Sequence, residues 1–262
     1  ILLILNQCRM RIFLKTEDEI ILLRAASQLA TRALIEVGRH VVPRLALSHL
    51  RNKVVNAVMR TVPTESNSGK EALSSDTEFT FFVNGAYIKP SLEGECMLCE
   101  SDWLTVNCWV CLDGYYSFGA HTFIVGSSQD DEPMISTFRD MLRQVVRRAS
   151  AGHSIKEMSR TVYSLHSHDP YVLQKTFGHG VGRNRVENPI LRMNPGVNDA
   201  VLLKEGMCLV IALAFKHGRS HFIKPRLMHE STFHNPFVPF GTTVVVRPGR
   251  PEILTSFETI VK

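Results

Sequence analysis

Two amphipathic helices are predicted at the start of the chain, before any strand. Residues 16–19 have the Thr-x-x-Glu spacing of a capping box, and apolar residues recur at helical intervals from Ile20, so a long helix ending near Gly38 is predicted. A second helical period over 47–58 predicts another helix. The stretch 61–76, rich in Ser, Pro and Asn, is typical of a loop.

Strands and helices then alternate in blocks. Strands are predicted over five apolar segments, at 79–83, 104–112, 115–125, 207–215 and 242–246. The Asp113-Gly114 pair between the second and third of these is typical of a tight hairpin. Helical periodicity covers 134–149 and 154–166, with Ser154 as N-cap. Helices followed by strands, twice over, predict an α+β domain built of two similar halves.

Composition and charge narrow the class of protein without deciding its partner. A 44% hydrophobic content in 262 residues is ordinary for a globular protein and excludes a disordered chain. The net charge is +5, and the basic residues are mostly Arg, which binds phosphate in bidentate fashion and favours an RNA contact. No segment approaches the roughly 20 apolar residues of a membrane span, so no membrane is expected. The chain begins with Ile rather than Met, so we expect that an N-terminal segment is missing and that a targeting peptide would go unseen.

Two Cys-x-x-Cys pairs, Cys96 with Cys99 and Cys108 with Cys111, raise the hypothesis of a zinc site. Cys108 and Cys111 fall in a predicted strand three positions apart, so their side chains point to opposite faces and cannot share one metal. Buried, reduced thiols are the simpler interpretation, and they favour an interior compartment. The histidine pairs 166 with 168 and 217 with 221 also have metal-like spacing, although surface histidines are commoner.

Six segments, in order and spacing, resemble the methionine aminopeptidases. They are Lys-Thr-Glu-Asp-Glu-Ile at 15–20, Leu-Asp-Gly-Tyr at 112–115, Thr-Phe-Ile-Val-Gly at 122–126, Gly-His-Gly-Val-Gly at 178–182, Leu-Lys-Glu-Gly-Met at 203–207 and Pro-Glu-Ile-Leu-Thr at 251–255. The resemblance implies the pita-bread fold, an α+β arrangement in which two pseudo-symmetric halves share a curved antiparallel sheet backed by helices. It further implies an N-terminal extension at 1–14 and a single domain over 15–262.

The resemblance also implies that most of the catalytic apparatus has been replaced. The family holds two divalent metals with two Asp, one His and two Glu, and the matching positions here are Asn107, Phe118, His179, Ala212 and Gly241. The two supporting catalytic histidines match Lys89 and Val186. With four of five ligands replaced, we expect no metal, no cofactor and no peptidase activity. The Lys89 ammonium would repel dications or pair with an anion, and the Phe118 ring would fill the emptied space.

The resemblance also implies a partner by analogy, since catalytically dead relatives in this superfamily serve as ribosome-associated factors or as histone chaperones. The Arg-weighted positive charge favours the first, so we expect a structural component or assembly factor of a ribosome, cytoplasmic or in the mitochondrial matrix, that binds ribosomal RNA and ribosomal proteins. A histone partner is disfavoured because its charge has the same sign. Candidate RNA contacts lie along one predicted helix face and after the glycine-rich turn: Arg139, Arg143, Arg147, Arg148, Arg183, Arg185 and Arg192.

Three alternatives stay open. The old pocket could bind a peptide or protein N-terminus without any ribosome. A residual metal-dependent aminopeptidase could work from His179, although one imidazole without carboxylates is a poor site for a hard metal. A Cys108 nucleophile with His179 as its base would require both side chains on one face of the sheet, and an oxyanion hole.

Overall fold

A computed structural model describes residues 11–61, 75–126, 133–166, 172–173, 175–194, 201–216 and 238–256. Its helices are α1 (Glu17–His40), α2 (Leu47–Thr61), α3 (Pro133–Val146) and α4 (Ile155–His166). The strands of the first half are β1 (Glu78–Val83), β2 (Ala86–Ile88), β3 (Trp103–Leu112) and β4 (Tyr115–Ile124). Those of the second half are β5 (Val172–Leu173), β6 (Thr176–Gly180), β7 (Glu187–Arg192), β8 (Cys208–Ala212), β9 (Phe215–Lys216), β10 (Gly241–Val245) and β11 (Glu252–Ile253).

Within the described residues, one antiparallel nine-stranded sheet organises the molecule. Its order is β2-β1-β3-β4-β10-β8-β6-β7, with β11 paired to β10, while β5 and β9 form a separate two-stranded sheet. Read from the centre outward, β4-β3-β1-β2 mirrors β10-β8-β6-β7, and a pair of helices precedes each set. The predicted α+β class and the two similar halves are therefore confirmed.

Capping boxes fix the start of two helices. Thr16 Oγ1 accepts a hydrogen bond from the Glu19 amide, and the Glu19 carboxylate accepts one from the Thr16 amide. Ser154 and Glu157 repeat the arrangement before α4. Each box satisfies amide donors that a helix N-terminus otherwise leaves unpaired.

The Asp113-Gly114 hairpin sets the register of the two central strands. Both residues have positive φ, 49° for Asp113 and 77° for Gly114, as a tight hairpin turn of this type requires. From that turn β3 and β4 pair in one unbroken register out to Trp103 and Ile124. The hairpin thereby decides which residues of the two strands share a face.

Several predicted boundaries differ from the structure. Helix α1 continues to His40, and β2, β6 and β7 are strands that the hydrophobic pattern did not predict, because each is short or interrupted by polar and glycine residues. Helix α3 ends at Val146, since the Arg148 and Ala149 amides donate to carbonyls only three residues back and tighten the last turn. Most of the predicted loop at 61–76, and the histidines at 168, 217 and 221, lie outside the described residues.

The segment before α1 is fastened to the second half of the molecule. Ile12 forms a parallel bridge with Asn188, and the Lys15 amide donates to the Gly206 carbonyl. The Lys15 ammonium lies 2.6 Å from a carboxylate oxygen of Glu187, and both side chains are about 95% buried, with 4% and 5% exposed. A charge pair this deep is stable only while both members are present.

No helix in the described ranges is long and apolar enough to cross a membrane.

Candidate functional site

Three of the positions that match family metal ligands line up across the sheet, together with Ala120. Asn107 of β3 pairs with Ala120 of β4, Ala120 with Gly241 of β10, and Gly241 with Ala212 of β8. Directly opposed residues of antiparallel strands share a face, so this row lies on one side of the sheet. We call that side the ligand face, and the side that packs on α1 and α2 the helix face.

Phe118 and His179 belong to the same face. Phe118 lies two positions before Ala120 on β4, and His179 pairs with Val210, two positions before Ala212. Side chains two apart on a strand point the same way. The structure therefore brings together all five positions that the resemblance implies as metal ligands: Asn107, Phe118, His179, Ala212 and Gly241.

The Phe118 ring occupies the middle of this face. Only 4% of Phe118 is exposed, and its ring centroid lies 4.8 Å from that of Trp109. A Cβ atom placed on Gly241 would lie 2.5 Å from Phe118 Cε1, well inside van der Waals contact. The prediction that the ring fills the space is thus consistent with the packing of β4 against β10.

His179 is held as a neutral imidazole with one defined acceptor. Its Nδ1 lies 2.8 Å from the Gly180 carbonyl oxygen, which can only accept, so Nδ1 carries the proton and Nε2 is left as an acceptor. Burial lowers the pKa of His179, and the hydrogen bond to Gly180 opposes that shift only in part.

Trp109 packs between His179 of the site and the side chain of Arg185. Its ring stacks on His179 with centroids 6.0 Å apart and planes within 7° of parallel. The Arg185 guanidinium carbon lies 5.0 Å from the Trp109 ring centroid, within cation–π range. Arg185 also pairs with Glu78 at 3.0 Å. Trp109 thus lies among Phe118, His179 and Arg185.

Asn107 carries an unusual polar atom. Its Oδ1 is buried and has no hydrogen-bond partner among the described residues. A buried acceptor without a partner costs roughly 1–3 kcal/mol, so the arrangement favours a donor from outside the described part of the chain. Asn107 Oδ1 and His179 Nε2 are two acceptors on one face.

The chain matches a known protein family and several of its members. The model of metallopeptidase family M24 matches residues 21–247. The chain belongs to metallopeptidase family M24. It is 25% identical over 248 residues to a methionine aminopeptidase of Clostridium perfringens, covering 93% of this chain and 98% of that one. A methionine aminopeptidase of Helicobacter pylori is 28% identical over 220 residues, covering 80% and 85%.

A solved structure of a methionine aminopeptidase shares the fold of this chain. The crystal structure of methionine aminopeptidase from Thermotoga maritima superposes with a TM-score of 0.74 at 20% identity, covering 94% of this chain and all of that chain. The resemblance to methionine aminopeptidases and the pita-bread fold, with its curled antiparallel sheet and four helices, are therefore confirmed.

The predicted ribosomal role is wrong. These sequence relatives are methionine aminopeptidases by name, and they match 80–93% of this chain. No ribosomal protein or assembly factor accounts for those matches. The net positive charge on which the prediction depended is a weak indicator, because surface arginines also serve internal contacts.

The predicted RNA-contacting arginines illustrate this. Arg139 lies 5.5 Å from the Phe240 ring, Arg143 pairs with Asp140, Arg183 lies 4.9 Å from the Tyr115 ring, and Arg185 covers Trp109. Arg147 and Arg148 are exposed but follow the end of α3, so the predicted stripe does not continue along one helix. Arg192 is exposed at the end of β7. Four of the seven side chains are thus engaged within the protein.

The two former histidine positions lie at the periphery. Lys89 is exposed and immediately follows β2, two strands away from Asn107. Val186 is 56% exposed in the loop before β7. Neither is part of the aligned row.

The positions of the cysteines argue against both a Cys108 nucleophile and a cysteine metal site. Cys108 is fully buried and adjacent to Asn107 on β3, so it lies on the helix face, opposite His179. Burial also raises the pKa of the Cys108 thiol far above its ordinary range, which suppresses the nucleophilic thiolate. Cys96 is half-buried and Cys99 exposed, and among the described residues no three His, Cys, Asp or Glu side chains are grouped as metal ligands.

The family implies a two-metal centre at these five positions. Dications in such a centre need several anionic oxygen ligands, whereas the five positions here offer one imidazole and one neutral amide. The Phe118 ring further occupies the space beside Gly241. The residues present do not fit a two-metal centre.

Sequence reasoning missed the role of Trp109 and the pairing of Lys15 with Glu187. Trp109 stands two positions from Asn107 on a strand, so strand periodicity alone places both on one face. The Lys15–Glu187 pair joins residues 172 positions apart, and no local pattern indicates it.

Proposed function

We propose that this chain is a non-hydrolytic member of family M24 whose ligand face binds the N-terminus of a polypeptide without cleaving it. The observation that carries the proposal is the row of Asn107, Ala120, Gly241 and Ala212, which presents no carboxylate. Hydrolysis in a two-metal site depends on an anionic ligand set to hold the ions and activate water. Without that set, the ligand face is suited to binding alone.

The chemistry of the surviving polar atoms supports a ligand that donates hydrogen bonds. Asn107 Oδ1 and His179 Nε2 both accept, and no carboxylate lies in the aligned row. A protonated α-amino group carries three N–H donors, and the Trp109 ring offers a π-face for its charge. The relatives, by their names, act at the amino end of polypeptides, which is the same chemical group.

The test uses a methionine-starting peptide and its N-acetylated form. Because the protein has two Trp, the Trp103→Phe variant leaves Trp109 as a single fluorescent reporter in the site. Saturable fluorescence change with the free amino terminus, weakened at least tenfold by acetylation, is the expected result. Equal response to both peptides, or none at millimolar peptide, contradicts the proposal.

A matched pair of variants locates the contact. Asn107→Leu removes the buried acceptor and should weaken binding of the free N-terminus about tenfold, as loss of one hydrogen bond to a charged group does. Asn52→Leu makes the same exchange at an exposed position of α2 and should leave binding unchanged. Equal loss in both variants would show that the effect is not located at Asn107.

A residual metal-dependent aminopeptidase is the second candidate. It is favoured by the names of the relatives and by His179, whose Nε2 is left as an acceptor. Release of methionine in the presence of Mn²⁺ or Co²⁺, abolished by His179→Ala, would establish this candidate and overturn non-hydrolytic binding. Intact peptide after prolonged incubation with either ion would remove it.

A further inference from the structure

The Phe118 ring lies so close to the Gly241 backbone that no side chain fits between them. A Cβ atom on Gly241 would lie 2.5 Å from Phe118 Cε1 and 3.3 Å from Ala212 Cβ. Ordinary contacts between carbon atoms are about 3.5–4.0 Å. Even the smallest side chain at position 241 therefore requires the Phe118 ring to move.

The ring has little room to move. Phe118 is 4% exposed, and Trp109 lies against it at 4.8 Å. Trp109 is in turn restrained by its stacking on His179 and by Arg185, which is itself paired with Glu78. A shift of the Phe118 ring toward Trp109 would disturb these contacts, and packed interiors resist such changes.

We infer that Phe118 and Gly241 form one steric unit that decides what the ligand face can hold, and that it excludes a metal centre by shape as well as by missing donors. The geometry stands on these residues alone, while its consequence for activity rests on the proposed loss of hydrolysis. A carboxylate side chain cannot return at position 241 while the ring stays at 118. The two family positions are therefore coupled.

A double-substitution cycle tests the coupling without reference to activity. Gly241→Ala alone should lower Tm by about 2–12 °C, because the added methyl group overpacks the site. In the Phe118→Ala background the same Gly241→Ala exchange should cause no further drop, because the ring is gone. Gly94→Ala, where the nearest atom to the new Cβ is 4.0 Å away, is the control and should leave Tm within about 1 °C.

Metal binding supplies a second readout. The variant Asn107→Asp/Phe118→Asp/Ala212→Glu/Gly241→Glu should bind Mn²⁺ with submillimolar affinity, measured by the loss of the free-ion electron paramagnetic resonance signal. The variant that restores the other three carboxylates but keeps Phe118 should bind at least tenfold more weakly than the one that combines the same three carboxylates with Phe118→Ala, or lose its native circular dichroism spectrum.

The outcomes separate the two claims. Equal Tm losses from Gly241→Ala in the presence and absence of the Phe118 ring would overturn the steric unit, whatever the activity. Tight Mn²⁺ binding by the three-carboxylate variant that keeps Phe118 would overturn the steric unit as well. Two equivalents of Mn²⁺ bound by the unaltered protein would contradict both the proposed function and the exclusion of a metal centre by shape, whereas the Tm cycle tests the packing of Phe118 against Gly241 alone.

Discussion

The two faces of strands β3 and β4 differ in composition and in burial. On the helix face, Val106, Cys108 and Val110 are fully buried in one cluster with apolar residues of α1 and α2. On the ligand face, alternate residues of the same strand, Asn107 and Trp109, are partly exposed. One strand thus carries an ordinary apolar core on one side and a remodelled family site on the other.

That contrast explains how an M24 fold can persist while its metal ligands change. Helix packing on the sheet depends on the buried apolar face, which substitutions on the other face do not touch. The positions that the resemblance matches to metal ligands hold residues that contribute packing, above all Phe118. Stability and chemistry are therefore separable along a single strand.

Removing one aromatic ring from each face should give the largest effect. Phe118→Ala on the ligand face and Phe123→Ala on the helix face should each lower the free energy of unfolding by about 3–5 kcal/mol, because both rings are buried. Urea denaturation of the two variants measures this. A cost below about 1 kcal/mol for Phe118→Ala alone would show that the ligand face is an open, solvated cleft.

A buried and an exposed ion pair beside the site form the second comparison. Glu187→Gln leaves the Lys15 ammonium buried without its counter-charge and should cost about 3 kcal/mol. Glu78→Gln breaks the exposed pair with Arg185 and should cost less than about 1 kcal/mol. Urea midpoints for both variants decide the matter, and comparable losses would mean that the Lys15 pair is open to solvent.

Removing a packed arginine should cost slightly more stability than removing an exposed one. Arg139→Ala removes a cation–π contact with Phe240 and should cost about 1 kcal/mol. Arg147→Ala changes an exposed residue beyond α3 and should stay within about 0.5 kcal/mol of the parent. Thermal denaturation with matched buffers distinguishes them, and equal values would put Arg139 in solvent.

The smallest effect should be a pH dependence that arises on the ligand face. Burial lowers the pKa of His179 in the folded protein below its ordinary value, so the unfolded chain takes up the proton first as pH falls. The contribution of His179 to stability is present above about pH 6.5 and is lost as pH falls below it. Comparing the stability of the protein and of His179→Gln between pH 7.5 and 5.5 isolates the effect, and NMR titration of the His179 ring gives the pKa directly. A ring pKa above 6.5 would contradict it.

Much of the fold could be predicted from the sequence because local signals specify it. The Thr16 capping box, the Asp113-Gly114 turn and the apolar periods of α1 and α3 are short-range patterns with direct structural causes. The resemblance then placed Asn107, Phe118 and the other family positions, and the register of the sheet brings those positions together.

The remaining features depend on contacts that sequence patterns do not express. The fit of the Phe118 ring over Gly241 joins strands more than 100 residues apart, and the Lys15–Glu187 pair likewise crosses the molecule. The number of arginines did not establish an RNA partner, because charge counts do not show which side chains are already engaged, as Arg185 is with Trp109 and Glu78.

Metal binding by the unaltered protein tests the central claim most directly. Isothermal titration of the metal-stripped protein with Mn²⁺ and with Co²⁺, beside the Clostridium perfringens methionine aminopeptidase as a positive control, measures stoichiometry and affinity at once. The account predicts no saturable binding below about 1 mM, because the described row of Asn107, Ala120, Gly241 and Ala212 offers no carboxylate and Phe118 fills the space beside it. Two ions bound per chain at micromolar concentration, lost in His179→Ala, would contradict it.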